Sequence, residues 1–138
     1  MDAPPHQQIA TVALVVRDYG EALAWYTGVL GFACCEDTDL GGGKRWIVVA
    51  PPAGAGARLL LAKAATPEQA ARIGDQTGGR VFLFLETDDF ARDFRALSER
   101  GVVFAEAPRD EPYGTVAVFA DLYGNRWDLI QPKDRAVS

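Results

Sequence analysis

Thr11 to Phe32, TVALVVRDYGEALAWYTGVLGF, is the stretch on which the fold turns, because a looser copy of it returns at Phe82 to Phe104. Thr11 to Val16 is a short run of β-branched and apolar residues that reads as a strand. Asp18 is placed to cap a helix whose Ala22, Leu23, Tyr26 and Leu30 share one face, and Gly31 stops it. In the second copy Phe82 to Thr87 is the strand, Asp89 the cap, Phe94 and Leu97 the apolar face, and Gly101 the stop. The caps lie 71 positions apart (89 − 18) and the stop glycines 70 apart (101 − 31), which identifies an internal duplication.

The rest of the chain extends each copy. After the first helix, Phe32 to Glu36 reads as a strand, Asp37 to Gly43 as a glycine-rich hairpin loop, and Arg45 to Ala50 and Arg58 to Ala62 as strands joined by PPAGAGA. Gly41 to Gly43 would suit a phosphate cradle only if a Lys-Ser/Thr pair and a helix start followed, and neither does. Ala64 to Gly79 links the halves; Thr66-Pro67-Glu68-Gln69 predicts a helix of two turns ending before Gly74. The second half then runs as a strand over 81–87, a helix over 89–100, a strand over 102–106, a loop through Pro108 and Pro112, and strands over 114–120 and 126–131. Residues 1–8 and those from Pro132 onward read as tails, with Ile9 opening the first strand.

Register comes from a second match. GARLLLAK (Gly56 to Lys63) aligns with GNRWDLIQ (Gly124 to Gln131) at a constant offset of 68, pairing Arg58 with Arg126 and Leu60 with Asp128. Because strand side chains alternate between faces, Val12, Leu14 and Val16 should pack under the first helix while Thr11, Ala13 and Val15 point away. Likewise Leu83, Leu85, Trp127 and Leu129 face the core, which leaves Phe82, Phe84, Glu86, Arg126 and Asp128 on the opposite surface.

Composition narrows the function. A chain of 138 residues with 49% hydrophobic and 24% charged residues is long enough for one domain, 1–138, with a real core and no need of metal or disulfide staples. It divides into a first module of about residues 9–63, a linker 64–79 and a second module of about 80–132. A net charge of −5 argues against nucleic acid or an anionic membrane surface as partner. No apolar run approaches the ~20 residues of a membrane span, and MDAPPHQQ lacks signal-peptide character, so a cytoplasmic location is expected. Cys34 and Cys35 are adjacent, read as free thiols, and on a regular strand would point to opposite faces.

A duplicated βαβββ module with VALVVRDYGEALAWYTGVLGF at its front and DLYGNRWDL near its end resembles the vicinal oxygen chelate superfamily, which includes glyoxalase I, extradiol dioxygenases and bleomycin-resistance proteins. The resemblance covers roughly Ile9 to Pro132 and implies an α+β fold: two tandem βαβββ modules forming an eight-stranded, incompletely closed barrel around one cavity. It implies that the enzymes of the family hold a divalent metal on the cavity floor, with His and Glu ligands from the first and last strands of each module. Those positions fall on Thr11, Leu60, Phe82 and Asp128, of which only Asp128 is a good ligand, whereas a catalytic site needs about three. His6, the one histidine, lies in the N-terminal tail. No metal and no cofactor is therefore expected, although a hard-cation site for Mg²⁺ or Mn²⁺ on Asp128 and Glu86 is conceivable.

What replaces the ligands is apolar. Val15, Leu60, Phe82 and Phe84 would line the wall, Trp46 and Tyr113 its rim, with Thr11, Arg58, Arg126, Asp128 and Glu86 the few polar groups among them, as in a pocket for an organic ligand. A plain filling of the cup or of a dimer interface, or an Arg126–Asp128 salt bridge, is the structural alternative for these residues. The leading reading is a metal-free protein resembling the bleomycin-resistance branch, binding a small hydrophobic or aromatic molecule. Alternatives are a glyoxalase- or dioxygenase-like enzyme with a metal on oxygen ligands, and metal-free general-base catalysis by Glu86 or Asp128. Whether the chain is an enzyme stays open. A homodimer is expected, since open sheet edges gain from being covered.

Overall fold

In the computed structural model, which describes residues 3–133, the opening stretch forms strand β1 (Thr11–Val16) and helix α1 (Tyr19–Gly28). The Asp18 carboxylate caps α1 by accepting from the Glu21 N–H at 2.8 Å, which satisfies one of the donors a helix start leaves unpaired. At the other end Gly31 turns the chain out of the helix at φ +86°, a backbone angle that L side chains rarely adopt, and Arg100 Nε donates to the Val29 carbonyl at 2.6 Å.

The chain continues as β2 (Ala33–Gly41), β3 (Lys44–Ala50), β4 (Arg58–Lys63), the short α2 (Pro67–Ala70) and β5 (Val81–Glu86). Then come α3 (Phe90–Glu99), β6 (Val103–Phe104), β7 (Arg109–Glu111), β8 (Gly114–Ala120) and β9 (Arg126–Pro132). Helix α3 starts as α1 does, with the Asp89 carboxylate accepting from the Arg92 N–H at 3.1 Å. The strands form two sheets of the same order, β1-β4-β3-β2 and β5-β9-β8-β6, with β7 added beside β8. In each, the first strand runs parallel to the last: Thr11 lies opposite Arg58, and Val81 opposite Arg126.

Alternation places the core as the apolar pattern requires. Leu14 and Val16 of β1 and Leu59 and Leu61 of β4 are buried, and they join Ala117, Phe119, Trp127 and Leu129 of the second sheet in one cluster. Tyr26 of α1 and Trp127 of β9 sit where the halves meet, with ring centroids 6.1 Å apart, and Phe32 lies 6.1 Å from the same Trp127 ring. Beneath them the Tyr26 hydroxyl donates to Asp121 Oδ2 at 2.6 Å. Asp121 also accepts from Asn125 Nδ2 and from the Tyr123 and Asn125 N–H groups, so the DLYGN segment is a loop folded around its own buried carboxylate.

The strands do not make one eight-stranded barrel around one cavity; they make a four-stranded and a five-stranded sheet. The two halves meet through Tyr26, Phe32 and Trp127 in one shared core. The free edge of β1 is closed by a side chain rather than a strand: Gln76 accepts from Val15 N–H and donates to the Val15 carbonyl, both at 3.3 Å. The segment Asp37 to Gly43 is no loop, since β2 continues to Gly41 against β3 and only the turn at Gly41 to Gly43 uses left-handed glycines. Arg109–Glu111 pairs with β8 instead of looping, and α2 is a single turn, not two.

Smaller departures follow local chemistry. The pairing of β2 slips between Cys34 and Glu36, so simple alternation fails there and both free thiols are exposed. The last strand extends to Pro132, and Lys133 pairs with Asp110 at 2.9 Å. The rest of the expected C-terminal tail and residues 1–2 lie outside the described residues.

Candidate functional site

One face of the second sheet brings charged side chains and a phenylalanine together. Phe84 lies opposite Asp128 across the parallel β5–β9 pair, and Asp128 lies opposite Val118 across the antiparallel β9–β8 pair, so these three side chains share a row on one face. The next row is Glu86, Ile130, Val116 and Arg109. Phe84 is 63% exposed, an unusual state for a phenylalanine, whereas Asp128 beside it is 8% exposed.

Asp128 is the anomaly of this face. Its Oδ1 is buried with no hydrogen-bond partner, and it makes no ion pair with Arg126 among the described residues. Burial pushes its pKa above the ordinary aspartate value, Arg109 and Arg126 pull it back, and Glu106 adds to the rise. Arg109 is itself occupied: its Nε donates to Glu106 Oε1 at 2.9 Å, its Nη1 pairs with Glu111, and Glu106 first, then the Tyr113 hydroxyl and Glu111, raise its pKa. Arg109, Glu106 and Glu111 escape a reading of the sequence that treats this segment as a loop. The signal lay in Pro112-Tyr113-Gly114, a turn tripeptide that makes a hairpin of RDE and the strand after it.

The other expected site residues are elsewhere. Thr11 and Arg58 are opposite each other, Leu60 is opposite Ala13 and Val48, and Trp46, Val15 and Leu60 share the open face of the first sheet. Phe82 does not share the row of Phe84: the β5–β9 register shifts between Val81 and Leu83, so Phe82 is the extra residue of a bulge and packs partly against the core. Tyr113 is exposed in the β7–β8 turn. Among the described residues, crevices of about 490 and 460 Å³ run between the halves. The larger is lined by Pro51, Asp88, Arg92 and Arg100, the smaller by Val12, Leu59, Leu83, Phe84 and Trp127, and Glu86 borders both. Asp128 and Arg126 line neither.

Two sheets of this shared order, each with its first strand parallel to its last, agree with a match of residues 8–129 to the model of the Glyoxalase/Bleomycin resistance protein/Dioxygenase superfamily. The chain belongs to this superfamily. An uncharacterized protein of Shewanella frigidimarina is 53% identical over 94% of this chain and 96% of its own. Among solved structures, UcmS2 superposes with a TM-score of 0.78 at 29% identity, covering 91% of this chain and 98% of that one. TnmS3, described as an antibiotic binding protein from Streptomyces sp. CB03234, superposes with a TM-score of 0.76 at 31% identity, covering 95% of this chain and all of that one (100%).

The positions at which the resemblance would place a metal fall on Thr11, Leu60, Phe82 and Asp128. Leu60 offers no donor atom, Phe82 sits in a bulge, Thr11 has a neutral hydroxyl, and Asp128 alone brings a carboxylate. No group of three or more His, Cys, Asp or Glu side chains with metal-binding geometry occurs among the described residues. The residues do not fit a divalent-metal centre of that kind.

Proposed function

We propose that this superfamily member is a metal-free binding protein for a small hydrophobic or aromatic molecule, as TnmS3 is an antibiotic binding protein. The observation that carries the reading is the pairing of an exposed Phe84 ring with Asp128, whose Oδ1 is buried without a hydrogen bond, on one sheet face. An exposed ring offers apolar area and a stacking surface, and an unsatisfied acceptor offers one directional contact. A homodimer is part of the proposal, since open sheet edges gain from being covered, and the modules of about 9–63 and 80–132 form one domain.

The test is a thermal-shift screen of planar aromatic compounds with metal analysis of the purified protein. Burying a phenylalanine is worth about 1.5–3 kcal/mol, so Phe84→Ala should weaken a hit by about tenfold or more. A stoichiometric bound metal, or hits whose affinity ignores Phe84, would overturn the proposal. Sedimentation at micromolar concentration should give a dimer.

A further inference from the structure

We infer that Asp128 selects the charge of the ligand, so that the site takes an aromatic molecule carrying a protonated amine. The inference rests on the proposed site and names its ligand class. Asp128 Oδ1 is closed to water and has no hydrogen bond, which costs free energy in the empty protein, and a ligand donor that reaches it through a small shift of its neighbours would relieve that cost. The surroundings decide which donor. On and beside this face stand the carboxylates of Glu86, Glu106, Glu111 and Asp128 against the guanidinium groups of Arg109 and Arg126. Arg109 is spent on Glu106 and Glu111, and Arg126 makes no ion pair among the described residues. Four negative groups against two positive ones leave an excess of negative charge, which repels an anion and gives a neutral hydroxyl no electrostatic advantage. A cation gains on both counts, and the Phe84 ring opposite Asp128 adds a π-face for it. Burial also raises the pKa of Asp128, which is the mark of a carboxylate whose charge is not yet balanced.

Three matched probes test this: 2-naphthylmethylamine, 2-naphthylmethanol and 2-naphthoate, titrated by calorimetry into the wild type, Asp128→Asn and Phe84→Leu. The amine should bind the wild type about tenfold or more tighter than the alcohol, with the naphthoate weakest, since a hydrogen bond to a charged group carries that much discrimination. Asp128→Asn should bring the amine to within about threefold of the alcohol. Amine and alcohol binding the wild type alike, while Phe84→Leu weakens both, would overturn the charge inference and leave the aromatic site standing. No binding of any probe, or indifference to Phe84→Leu, would overturn the site and this inference with it. The amine-to-alcohol ratio in the wild type decides the matter even if Asp128→Asn does not fold.

Discussion

Tyr26→Phe removes one oxygen from the place where the two halves are tied together. Tyr26 is fully buried (0% exposed) and its hydroxyl donates to Asp121 Oδ2 at 2.6 Å, across 95 positions of sequence. Asp121 keeps its bonds from Asn125 Nδ2 and from two backbone N–H groups, so the variant does not strand the carboxylate. Hydrogen bonds to charged groups are worth about 1.5–3 kcal/mol, and with three donors remaining the loss should be about 2 kcal/mol. For a chain of this length that is a fall in Tm of about 6–10 °C. Urea unfolding and calorimetry of both proteins measure it, with Tyr123→Phe as a control. The Tyr123 hydroxyl donates to Glu21 at 2.8 Å in a partly exposed setting and should cost less than about 1 kcal/mol. A loss below about 0.5 kcal/mol for Tyr26→Phe would show that the bond does not join the halves energetically and that ring packing alone does.

Asp128→Asn should raise stability at pH 7 while it weakens binding of cations. The folded-state pKa of Asp128 lies above its ordinary value of 3.8, so its contribution to stability is whole below that value and is lost as pH rises through the folded pKa; the gain in Tm should close toward pH 4. Gly74→Ala should cost more than about 2 kcal/mol in urea unfolding, because an L side chain is strained there. Gly74 sits at φ +77° and an added Cβ would lie 2.1 Å from the Tyr123 carbonyl oxygen. Gln76→Ala should speed amide hydrogen exchange at Val15, whose N–H and carbonyl it now holds at the edge of β1; unchanged exchange there would reject that role.

Much of this architecture is local and periodic, and such features are written along the chain. Asp18 and Asp89 cap their helices because a short carboxylate at that position satisfies a free N–H wherever it occurs. Leu14, Val16, Trp127 and Leu129 are buried because alternation commits them to one face, and the duplicated register of Arg58 and Arg126 follows from the same periodicity. That Leu60 and Phe82 offer no donor atom is likewise a matter of side-chain chemistry, legible without coordinates.

Tertiary structure decided what periodicity cannot carry. One bulge between Val81 and Leu83 moved Phe82 out of the row and left Phe84 alone beside Asp128, and a single inserted residue of that kind leaves the apolar pattern almost unchanged. The hairpin that brings Arg109 to Glu106 and Glu111, and so withholds it from Asp128, depends on pairing with β8 rather than on any property of RDE itself. Two sheets replaced a barrel because Tyr26, Phe32 and Trp127, distant in sequence, meet in one shared core while a glutamine amide closes the edge of β1. The amino-acid sequence determined which residues are apolar, capped or unable to bind metal, since each of these is a property of a residue and its near neighbours. Only the tertiary structure determined that Asp128 Oδ1 is buried without a hydrogen bond, because that depends on groups brought together from strands far apart in the chain.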